Sequence, residues 1–375
     1  MTNTPPTNKK AHVVTLIPGD GIGPEITEAM KSVIAASGVQ IDWEIQHAGE
    51  AALEKTGELL PAAVLESIRR NKVALKGPLT TPIGHGFRSL NVTLRKELDL
   101  YTNIRPAQSF KGTGARYDDV DIVLFRENTE DLYAGIEFEK GSDGVKRISE
   151  VVEDLTGVSI REDAGLSLKP ISVFGTRRIM KAAMDYAVAN GRKKVTIIHK
   201  ANIMKHTDGL FMKTCYEVAA EYAELAPEIE VDDLIVDFAC TRLVTNPERF
   251  DVLVCPNLFG DIVSDLCAGL VGGLGLAPGA NIGDNCALFE PVHGSAPSYA
   301  DKNLSNPTAL ILSAVMMLRH LGEQSAAERV HKAIAEVISD GEVLTYDLIR
   351  MRDGTTEGSS GTKEYAAAIV AKLQA

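Results

Sequence analysis

The sequence lacks long apolar runs, an excess of basic residues and paired cysteines, and each absence argues against a class of protein. No apolar run approaches the roughly 18 residues of a membrane-spanning helix, and the longest candidate, residues 309–318, has the length of a core helix. The 39 Lys and Arg against 51 Asp and Glu give a net charge of −12. Nucleic acid and anionic membranes need a basic face, so neither is expected as a partner. A small anionic substrate remains open, because a local arginine cluster can outweigh the global field.

The five cysteines are odd in number and show neither a CxxC pair nor Cys/His metal spacing. Most lie in apolar runs, so the sequence predicts buried free thiols, as in a reducing compartment. Residues 1–10 are polar and contain no arginine, and the apolar run after them is shorter than that of a signal peptide. A cytoplasmic location is therefore the expectation from the sequence.

What the sequence does have is length and a regular alternation of patterns. A chain of 375 residues exceeds one ordinary core and predicts two domains. Apolar β-type runs alternate with helical periodicity, which predicts an α/β fold with a largely parallel sheet. The predicted strands are residues 12–17, 41–46, 72–76, 122–125, 195–199 and 251–255. The predicted helices are residues 24–36, 62–71, 176–189, 208–222, 307–321 and 326–339.

The alternation breaks between residues 134 and 169. This stretch is charged and rich in alternating patterns, such as that of residues 148–152. A β arm and a disordered insert are both compatible with it. Val, Ile and Phe are too frequent for disorder, so the sequence favours a β arm that pairs with a second subunit.

Two glycine-rich loops resemble a dinucleotide-binding fingerprint without satisfying it. Gly19, Gly21 and Gly23 lie between a predicted strand and a predicted helix, but Pro24 occupies the position where the fingerprint needs glycine. Residues 272–278 fail in the same way. A nicotinamide cofactor, if the protein binds one, must be held by other loops.

Asp261 and Asp265 open a predicted helix directly after the strand at residues 251–255. Residues four apart lie on one helix face, where two like charges weaken an isolated helix. Carboxylates at the carboxyl end of a strand are suitable ligands for Mg²⁺ or Mn²⁺. An equally good interpretation from spacing alone is that Asp261 caps the helix and Asp265 is solvated.

Arg105 and Arg126 are each predicted at the end of a strand, and Arg95 follows Ser89 and Asn91 on a loop that runs into a helix. Arginines at strand ends can converge on one crevice, where guanidinium groups suit carboxylates. For any single one of them, a surface arginine paired with a neighbouring Glu or Asp is the better interpretation.

Tyr133 and Lys200 are weaker signals by themselves. Lys200 directly follows the apolar strand at residues 195–199, where a surface lysine has no special reason to lie. A lysine beside a metal in a closed cleft can have its pKa lowered enough to accept a proton.

Taken in order, these motifs closely resemble the isocitrate and 3-isopropylmalate dehydrogenase family of metal-dependent β-decarboxylating dehydrogenases. The resemblance rests on residues 17–24, 126–130, 199–202, 257–265 and 293–297 and covers nearly the whole chain. It implies the family's two-domain α/β fold without a Rossmann fingerprint and with a β-rich dimer arm. The implied divisions are residues 1–100 with 272–375 as a large cofactor-side domain, 101–133 with 173–271 as a small dimer-side domain, and 134–172 as a clasp-like β arm.

The resemblance also implies roles for the candidate residues. Asp261 and Asp265, with an aspartate of the partner subunit that matches Asp237, would bind Mg²⁺ or Mn²⁺. The malate part of the substrate would be held by Arg95, Arg105 and Arg126. Tyr133 and Lys200 would act as acid and base, with Lys200 coming from the other subunit of a homodimer.

The loop before Arg95 bears on the substrate. Ser89 and Asn91 match the isocitrate-type loop of the family. This match favours isocitrate, because the third carboxylate of isocitrate needs hydrogen-bond donors whereas an isopropyl group needs an apolar wall. Isocitrate is the predicted substrate, with homoisocitrate and 3-isopropylmalate as alternatives. A non-catalytic regulatory subunit is a further alternative, disfavoured because the full catalytic and metal set is present: Tyr133, Lys200, Asp237, Asp261 and Asp265.

The cofactor prediction rests on the residues after Pro297. Family members that use NAD⁺ usually carry an aspartate there, but this chain has Ser298 and Tyr299, with Tyr346 and Arg350 at the spacing of NADP⁺-dependent members. The resemblance thus favours NADP⁺ and leaves NAD⁺ open. The implied cofactor-binding residues are Lys76, Thr80, Thr81, His293, Gly294, Ser295, Ala296, Pro297, Ser298, Tyr299, Asn306, Tyr346 and Arg350.

Overall fold

The computed structural model describes residues 11–80 and 89–375, which form an α/β fold. The strands are β1 (His12–Ile17), β2 (Ile41–Ile45), β3 (Val73–Lys76), β4 (Thr102–Gln108), β5 (Asp121–Glu127), β6 (Glu137–Phe138), β7 (Leu166–Ser167), β8 (Lys194–His199), β9 (Glu230–Ile235), β10 (Val252–Cys255), β11 (Pro278–Ile282) and β12 (Ala287–Pro291). The helices are α1 (Gly23–Ala36), α2 (Glu50–Thr56), α3 (Ala62–Asn71), α4 (Leu90–Glu97), α5 (Asp143–Thr156), α6 (Val173–Ala189), α7 (Asp208–Glu221), α8 (Val236–Thr245), α9 (Asn257–Val271), α10 (Thr308–His320), α11 (Gln324–Asp340), α12 (Tyr346–Asp353) and α13 (Thr362–Gln374).

Ten of the strands form one central sheet in the order β2-β1-β3-β12-β11-β4-β5-β10-β8-β9. Most neighbours are parallel, as predicted, but β11 runs antiparallel to β12 and β4, and β4 runs antiparallel to β5. Strands such as β3 and β10 are buried along their whole length. Helices cover both faces, which is why these strands are continuous apolar runs instead of alternating ones.

The apolar core is divided between the two halves of the sheet. Helices α1, α10, α11 and α13 contribute to the largest cluster, around β1, β3 and β12. Helices α6 and α7 pack on one face of β5, β8 and β10, while α8 and α9 pack on the other. The carboxyl ends of β5, β8 and β10 therefore lie side by side, and these ends carry Arg126, Lys200 and the start of α9.

Element prediction from the sequence was accurate where the apolar pattern was strong. The strand at residues 12–17 and the helix at residues 62–71 have their predicted bounds, and the other predicted elements agree within three residues. Strands β9, β11 and β12 were not predicted. Pro278 and Gly279 at the start of β11 are unusual strand residues, and the proline is tolerated because it is the first residue.

The prediction of β structure across residues 134–172 is wrong for the centre of that segment. A two-stranded antiparallel pair, β6 with β7, frames a 14-residue helix, α5. The Ser142 side chain caps α5 by accepting a hydrogen bond from the Val145 backbone N–H. Residues 148, 151, 152 and 155 are apolar at i, i+3, i+4 and i+7, which is helical periodicity. The short alternation at residues 148–152 concealed this longer period.

The five cysteines are free thiols, as predicted, and four of them are buried. Burial raises the pKa of the Cys215 and Cys255 thiols well above the usual value. None of the helices in residues 11–80 and 89–375 combines the length and apolar character that crossing a membrane requires.

Candidate active site

The two carboxylates of α9 face the carboxyl end of β5 and the neighbouring amino-terminal half of β4. Asp261 Oδ2 accepts a hydrogen bond from the Tyr133 hydroxyl at 2.6 Å, and Asp261 Oδ1 is ion-paired with Arg126. Asp265 Oδ1 accepts from Arg105 Nη1 at 3.2 Å. The site interpretation of this pair is therefore favoured over a cap and a solvated charge, since neither side chain caps α9 and both contact arginines.

The surroundings lower the pKa of Asp261 and raise the pKa values of Asp265 and Tyr133. Burial by itself would raise the pKa of Asp261, but Arg126, the Tyr133 hydrogen bond and Arg105 outweigh it and lower the pKa. Burial raises the pKa of Asp265, and the nearby Asp261 adds to this effect. Burial and the bond to Asp261 raise the pKa of the Tyr133 hydroxyl. Asp261 is thus an anion at neutral pH, and Tyr133 keeps its proton, as a general acid must.

The three predicted arginines come together from different elements. Arg95 lies on α4, Arg105 on β4 and Arg126 on β5. Arg105 is in the middle of its strand, so the prediction that it ends a strand is wrong. It still reaches the site because β4 and β5 are antiparallel neighbours in which Arg126 pairs with Asn103 and Leu124 with Arg105.

Burial and mutual repulsion make this arginine cluster a site for anions. Burial, with Arg126 and Arg95 nearby, lowers the pKa of Arg105 to about 10. Burial and Arg95 also lower the pKa of Arg126. Arg126 Nη2 and Arg95 Nε are buried without a hydrogen-bond partner. A multiply charged carboxylate would supply both the missing acceptors and the missing negative charge.

The cleft beside the arginines is lined by both predicted and unpredicted residues. Its walls are formed by Lys76, Pro78, Leu79, Asn91, Arg95, Asn103, Arg105, Gly279, Glu290, Pro291, Val292, His293 and Gly294. Asn91 Oδ1 is buried there without a partner. Ser89 precedes the first turn of α4 as an exposed residue whose side chain makes no capping hydrogen bond. Thr81 lies outside the described residues.

Glu290 is a component of the site that the sequence did not predict. Its carboxylate lies between Lys76 Nζ, at 2.8 Å, and Arg95 Nη2, at 3.1 Å. Burial alone would raise the pKa of Glu290, but Lys76 and Arg95 lower it strongly. Asn281 Nδ2 also donates to Glu290 at 2.7 Å. The sequence did contain a signal, which is a glutamate within the apolar strand β12. Burying an unpaired carboxylate there would cost much free energy, so the glutamate indicates cationic partners nearby.

Lys200 and Asp237 are paired with each other and not with the aspartates of α9. Lys200 Nζ is ion-paired with Asp237 Oδ1, and the Asp237 side chain is 69% exposed. In residues 11–80 and 89–375, no group of three or more His, Cys, Asp or Glu side chains is arranged to hold a metal ion. One chain would therefore supply two carboxylates, Asp261 and Asp265, whose hard-donor chemistry fits Mg²⁺ or Mn²⁺ but would leave the coordination incomplete.

Several of the predicted cofactor residues contact one another or helix α12. Thr80 Oγ1 and Ser295 Oγ are hydrogen-bonded at 2.7 Å. Tyr299 and Tyr346 stack with their ring centroids 5.6 Å apart and their planes 6° from parallel. Asn306 Nδ2 donates to Asp347 at 2.9 Å. Ala296 has a φ of 38°, which a non-glycine residue rarely adopts and which turns the chain sharply before Pro297.

The glycine-rich loop at residues 19–23 packs these loops together. A Cβ atom at Gly19 would lie 2.3 Å from the Pro78 carbonyl oxygen, and one at Gly21 would lie 2.1 Å from the Ser295 carbonyl oxygen. The Ile22 backbone N–H donates to the same Ser295 oxygen at 2.9 Å. These glycines therefore permit close contact between three backbone segments.

Comparison with known proteins identifies similar chains. A family model described as isocitrate/isopropylmalate dehydrogenase matches residues 13–369. The NAD-type isocitrate dehydrogenase catalytic subunit 5 of Arabidopsis thaliana mitochondria is 52% identical, covering 95% of this chain and 87% of the relative. The chloroplastic 3-isopropylmalate dehydrogenase of Solanum tuberosum is 50% identical, with coverages of 91% and 89%. An NADP-type isocitrate dehydrogenase of Archaeoglobus fulgidus is 44% identical, with coverages of 96% and 93%.

A solved structure is similar in both sequence and fold. The crystal structure of isocitrate dehydrogenase from Methylococcus capsulatus superimposes with a TM-score of 0.86 at 51% identity. The match covers 97% of this chain and 100% of that one. The similarity therefore extends over every element that contributes to the cleft.

Proposed function

The chain belongs to the isocitrate/isopropylmalate dehydrogenase family, and we propose that it catalyses the metal-dependent oxidative decarboxylation of isocitrate to 2-oxoglutarate and CO₂. The observation that carries the proposal is the cluster in which Asp261 contacts Tyr133 and Arg126 next to two further arginines, buried Arg95 and partly buried Arg105. One bound substrate would therefore be near a proton donor, Tyr133, a metal-binding carboxylate, Asp261, and an arginine cluster that can bind three carboxylates.

Each residue has a physical task in this reaction. The arginines bind and orient the carboxylates of the substrate, and they offset the repulsion expected from a protein of net charge −12. Asp261 and Asp265 would hold Mg²⁺ or Mn²⁺, which supplies Lewis-acid stabilisation of the enolate that forms on decarboxylation. Tyr133 keeps its proton at neutral pH and can deliver it to carbon.

Lys200 is proposed as the base that accepts the hydroxyl proton. Within one chain it is ion-paired with exposed Asp237 and not with Asp261. A homodimer in which each subunit supplies Lys200 and Asp237 to its partner's cleft would bring base and acid together. It would also add a third carboxylate to the two of α9. The shared site is a proposal and is tested below with hybrid dimers.

Two nucleotide choices are supported by different observations. For NADP⁺, no carboxylate directly follows Pro297, and the Tyr299–Tyr346 stack adjoins exposed Arg350 on α12. We propose NADP⁺ on these residues. For NAD⁺, Ser298 brings no positive charge, and Asp347 carries a carboxylate one residue from Tyr346. An enzyme with NAD in its name is also 52% identical to this chain.

The substrate alternatives are homoisocitrate and 3-isopropylmalate. The 50% identity to a 3-isopropylmalate dehydrogenase is the specific observation in favour of the latter. Asn91 favours isocitrate, because an amide lining the cleft suits a carboxylate better than an isopropyl group. A regulatory subunit without catalysis is the alternative of another class, and the presence of Tyr133 and Lys200 argues against it.

One assay tests these proposals together. The purified protein is mixed with Mn²⁺ and with isocitrate, homoisocitrate or 3-isopropylmalate, and reduction of NAD⁺ and NADP⁺ is followed optically. The highest kcat/KM is expected for isocitrate with NADP⁺. A higher value for 3-isopropylmalate would overturn the substrate proposal, and a higher value for NAD⁺ would overturn the nucleotide proposal. No turnover with any pair would favour a regulatory subunit.

A double variant tests the nucleotide assignment independently. Ser298→Asp with Tyr299→Ile adds an acceptor for ribose hydroxyls and a charge that repels a 2′-phosphate. We expect the ratio of kcat/KM for NADP⁺ to that for NAD⁺ to fall by about 100-fold, equivalent to about 2.7 kcal/mol. An unchanged ratio would mean that these two residues do not face the adenosine ribose.

A further inference from the structure

Lys169 lies just after β7, where the arm rejoins the body of the protein, and contacts two buried carboxylates. Its Nζ donates to Asp131 Oδ1 at 2.8 Å and pairs with Asp208 Oδ1 at 3.4 Å. Both aspartate side chains have no solvent exposure, and that of Lys169 is 14% exposed. The ammonium group also lies 5.2 Å from the ring centroid of Phe259. Removing one ammonium group and two carboxylates from water costs free energy. The stability of the folded protein is therefore a weak explanation for this cluster, and a functional role is favoured.

Asp131 ties Lys169 to the segment that carries Tyr133 and to α9. Asp131 Oδ2 accepts from the Leu258 backbone N–H, in the first turn of α9, at 2.9 Å. Asp131 itself has a φ of 67°, a strained conformation for a non-glycine residue. Tyr133 follows two residues later and donates to Asp261 on α9. The Asp131 carboxylate thus fixes the acid relative to the helix that carries the proposed metal ligands.

Asp208 ties the same lysine to the segment that carries Lys200. Asp208 is the first residue of α7, and its Oδ2 accepts from the Lys200 backbone N–H at 2.7 Å. The Oδ1 atom of this carboxylate is the one that faces Lys169. One ammonium group therefore bridges the backbone that positions the proposed acid and the backbone that positions the proposed base.

We propose that Lys169 is a positioning residue that holds the Tyr133 and Lys200 segments in register and so couples the two active sites of a dimer. The coupling rests on the proposed function, in which a site combines Tyr133 of one subunit with Lys200 of the other. Within one chain, Lys169 then contacts Asp131, which supports the site that contains this chain's Tyr133. It also contacts Asp208, which supports the site that contains this chain's Lys200. Through Asp131 and Asp208 it affects both sites without contacting substrate, metal or nucleotide.

The first test removes the charge of Lys169 and keeps most of its length. In Lys169→Met, kcat should fall about 100-fold, because a displacement of roughly 1 Å at the reacting groups costs that much. KM for isocitrate should change less than about threefold, because Arg95, Arg105 and Arg126 make no contact with Lys169. Lys169→Arg restores the charge and should recover most of kcat.

Arg192→Met is the matched control. Arg192 is bonded to Asp121 and Asp251, and its side chain is 18% exposed, close to the 14% of Lys169. This variant should lower Tm and leave kcat unchanged, since Arg192 lies outside the cleft. An unchanged kcat in Lys169→Met, or a loss no larger than that of Arg192→Met, would overturn the positioning role.

Asp208→Asn tests the role if Lys169→Met does not fold. It keeps the shape of the side chain and the contact between Lys169 and Asp131, but it removes the charge that holds Lys169 to the Lys200 segment. The proposal requires a lower kcat in the folded variant. A normal kcat in folded Asp208→Asn would contradict it.

Hybrid dimers test the coupling itself. A dimer of one unchanged chain and one Tyr133→Phe chain should keep half the activity, because one of its sites is intact. A dimer of one unchanged chain and one Lys169→Met chain should keep far less than half, because each site contains one displaced segment. Half activity in the second hybrid would show that Lys169 supports one site only.

Failure of this inference is distinguishable from failure of the proposed function. The latter is decided by turnover of the unchanged enzyme, which is measured first. Hydrogen exchange provides a readout of positioning that needs no turnover. Exchange should quicken in both residues 129–134 and residues 199–207 in Lys169→Met but not in Arg192→Met. Quickening in neither segment would overturn the inference even in an inactive protein.

Discussion

At the scale of single residues, function follows from which charges the fold leaves unpaired. Lys76 and Arg95 share Glu290, whereas Arg126 keeps one buried nitrogen without an acceptor. The lowered pKa of Arg105, due first to burial and then to Arg126, reports the same excess of positive charge. Such an excess weakens the folded protein by itself and favours binding of an anion, which relieves it.

Asp261→Asn should abolish turnover while the fold remains intact. The amide keeps the shape of the side chain and loses the charge that a cation needs. Because the pKa of Asp261 is lowered, its ionised form stabilises the folded protein at neutral pH, and this contribution is lost only as the pH falls through the acid range. The variant's Tm should therefore depend less on acid pH. Near-normal activity in saturating Mn²⁺ would refute the metal assignment.

Ser89 allows a charge test with little risk to the fold. It is the residue before the first turn of α4, and Asp is favoured at that position, so Ser89→Asp should leave the helix intact. A negative charge beside a substrate carboxylate should raise KM for isocitrate by on the order of 100-fold, whereas Ser89→Ala removes only one donor and should be much milder. Equal and small effects in the two variants would show that Ser89 does not face the substrate.

At the scale of elements, helix α9 couples packing to chemistry. A Cβ atom at Gly260 would lie 2.6 Å from Arg126 Cγ and 2.7 Å from its Cβ, and Arg126 is only 1% exposed. Gly260 and Asp261 are adjacent, so the same turn of helix presents the carboxylate and leaves space for the arginine. The glycine is required here by close approach and not by backbone conformation, since the residue is helical.

Gly260→Ala should therefore displace Arg126 and raise KM for isocitrate by about tenfold or more, with a loss of about 1–3 kcal/mol in stability from overpacking. Gly269→Ala is the control on the same helix, because a Cβ atom there meets nothing within 4 Å. That control should be neutral or more stable by about 0.5–1 kcal/mol, without a change in KM. Similar effects of both variants would place the cause in helix propensity and not in Arg126.

At the scale of the whole molecule, the proposed active site is incomplete in one chain. The proposed acid Tyr133 and the proposed metal ligand Asp261 are hydrogen-bonded, while Lys200 is paired with Asp237 and not with Asp261. A side chain that binds a metal in another subunit must be exposed on its own chain, as Asp237 is. The arm around α5, with exposed Val151 and Leu155, presents apolar surface of the kind that a dimer would cover.

Mixing two inactive variants tests this arrangement directly. Lys200→Met and Tyr133→Phe chains should each be inactive, and their hybrid dimer should regain about half of the unchanged activity. In the hybrid, one site carries both lesions and the other carries neither. Subunit exchange is verified by native mass spectrometry of differently tagged chains. No recovery after verified exchange would mean that each site is built from a single chain.

The sequence by itself determined the fold class, the family and the identity of most candidate residues. Apolar strands buried on both faces leave a continuous pattern, which is why β1, β8 and β10 were predictable. The segment at residues 251–265 combines a strand end, a helix start and two carboxylates, all of which are local features. Local features are what a sequence records directly.

The tertiary structure decided which of these residues meet. The antiparallel pairing of β4 and β5 brings Arg105 into the site from the middle of a strand. Glu290 and Lys169 acquire their roles only through partners far along the chain, at Lys76 and Arg95 and at Asp131 and Asp208 respectively. Helix α5 is a different case, because its helical periodicity is local and was concealed by a short alternating pattern. Contacts between distant segments depend on how the sheet is ordered, and no local pattern specifies that order.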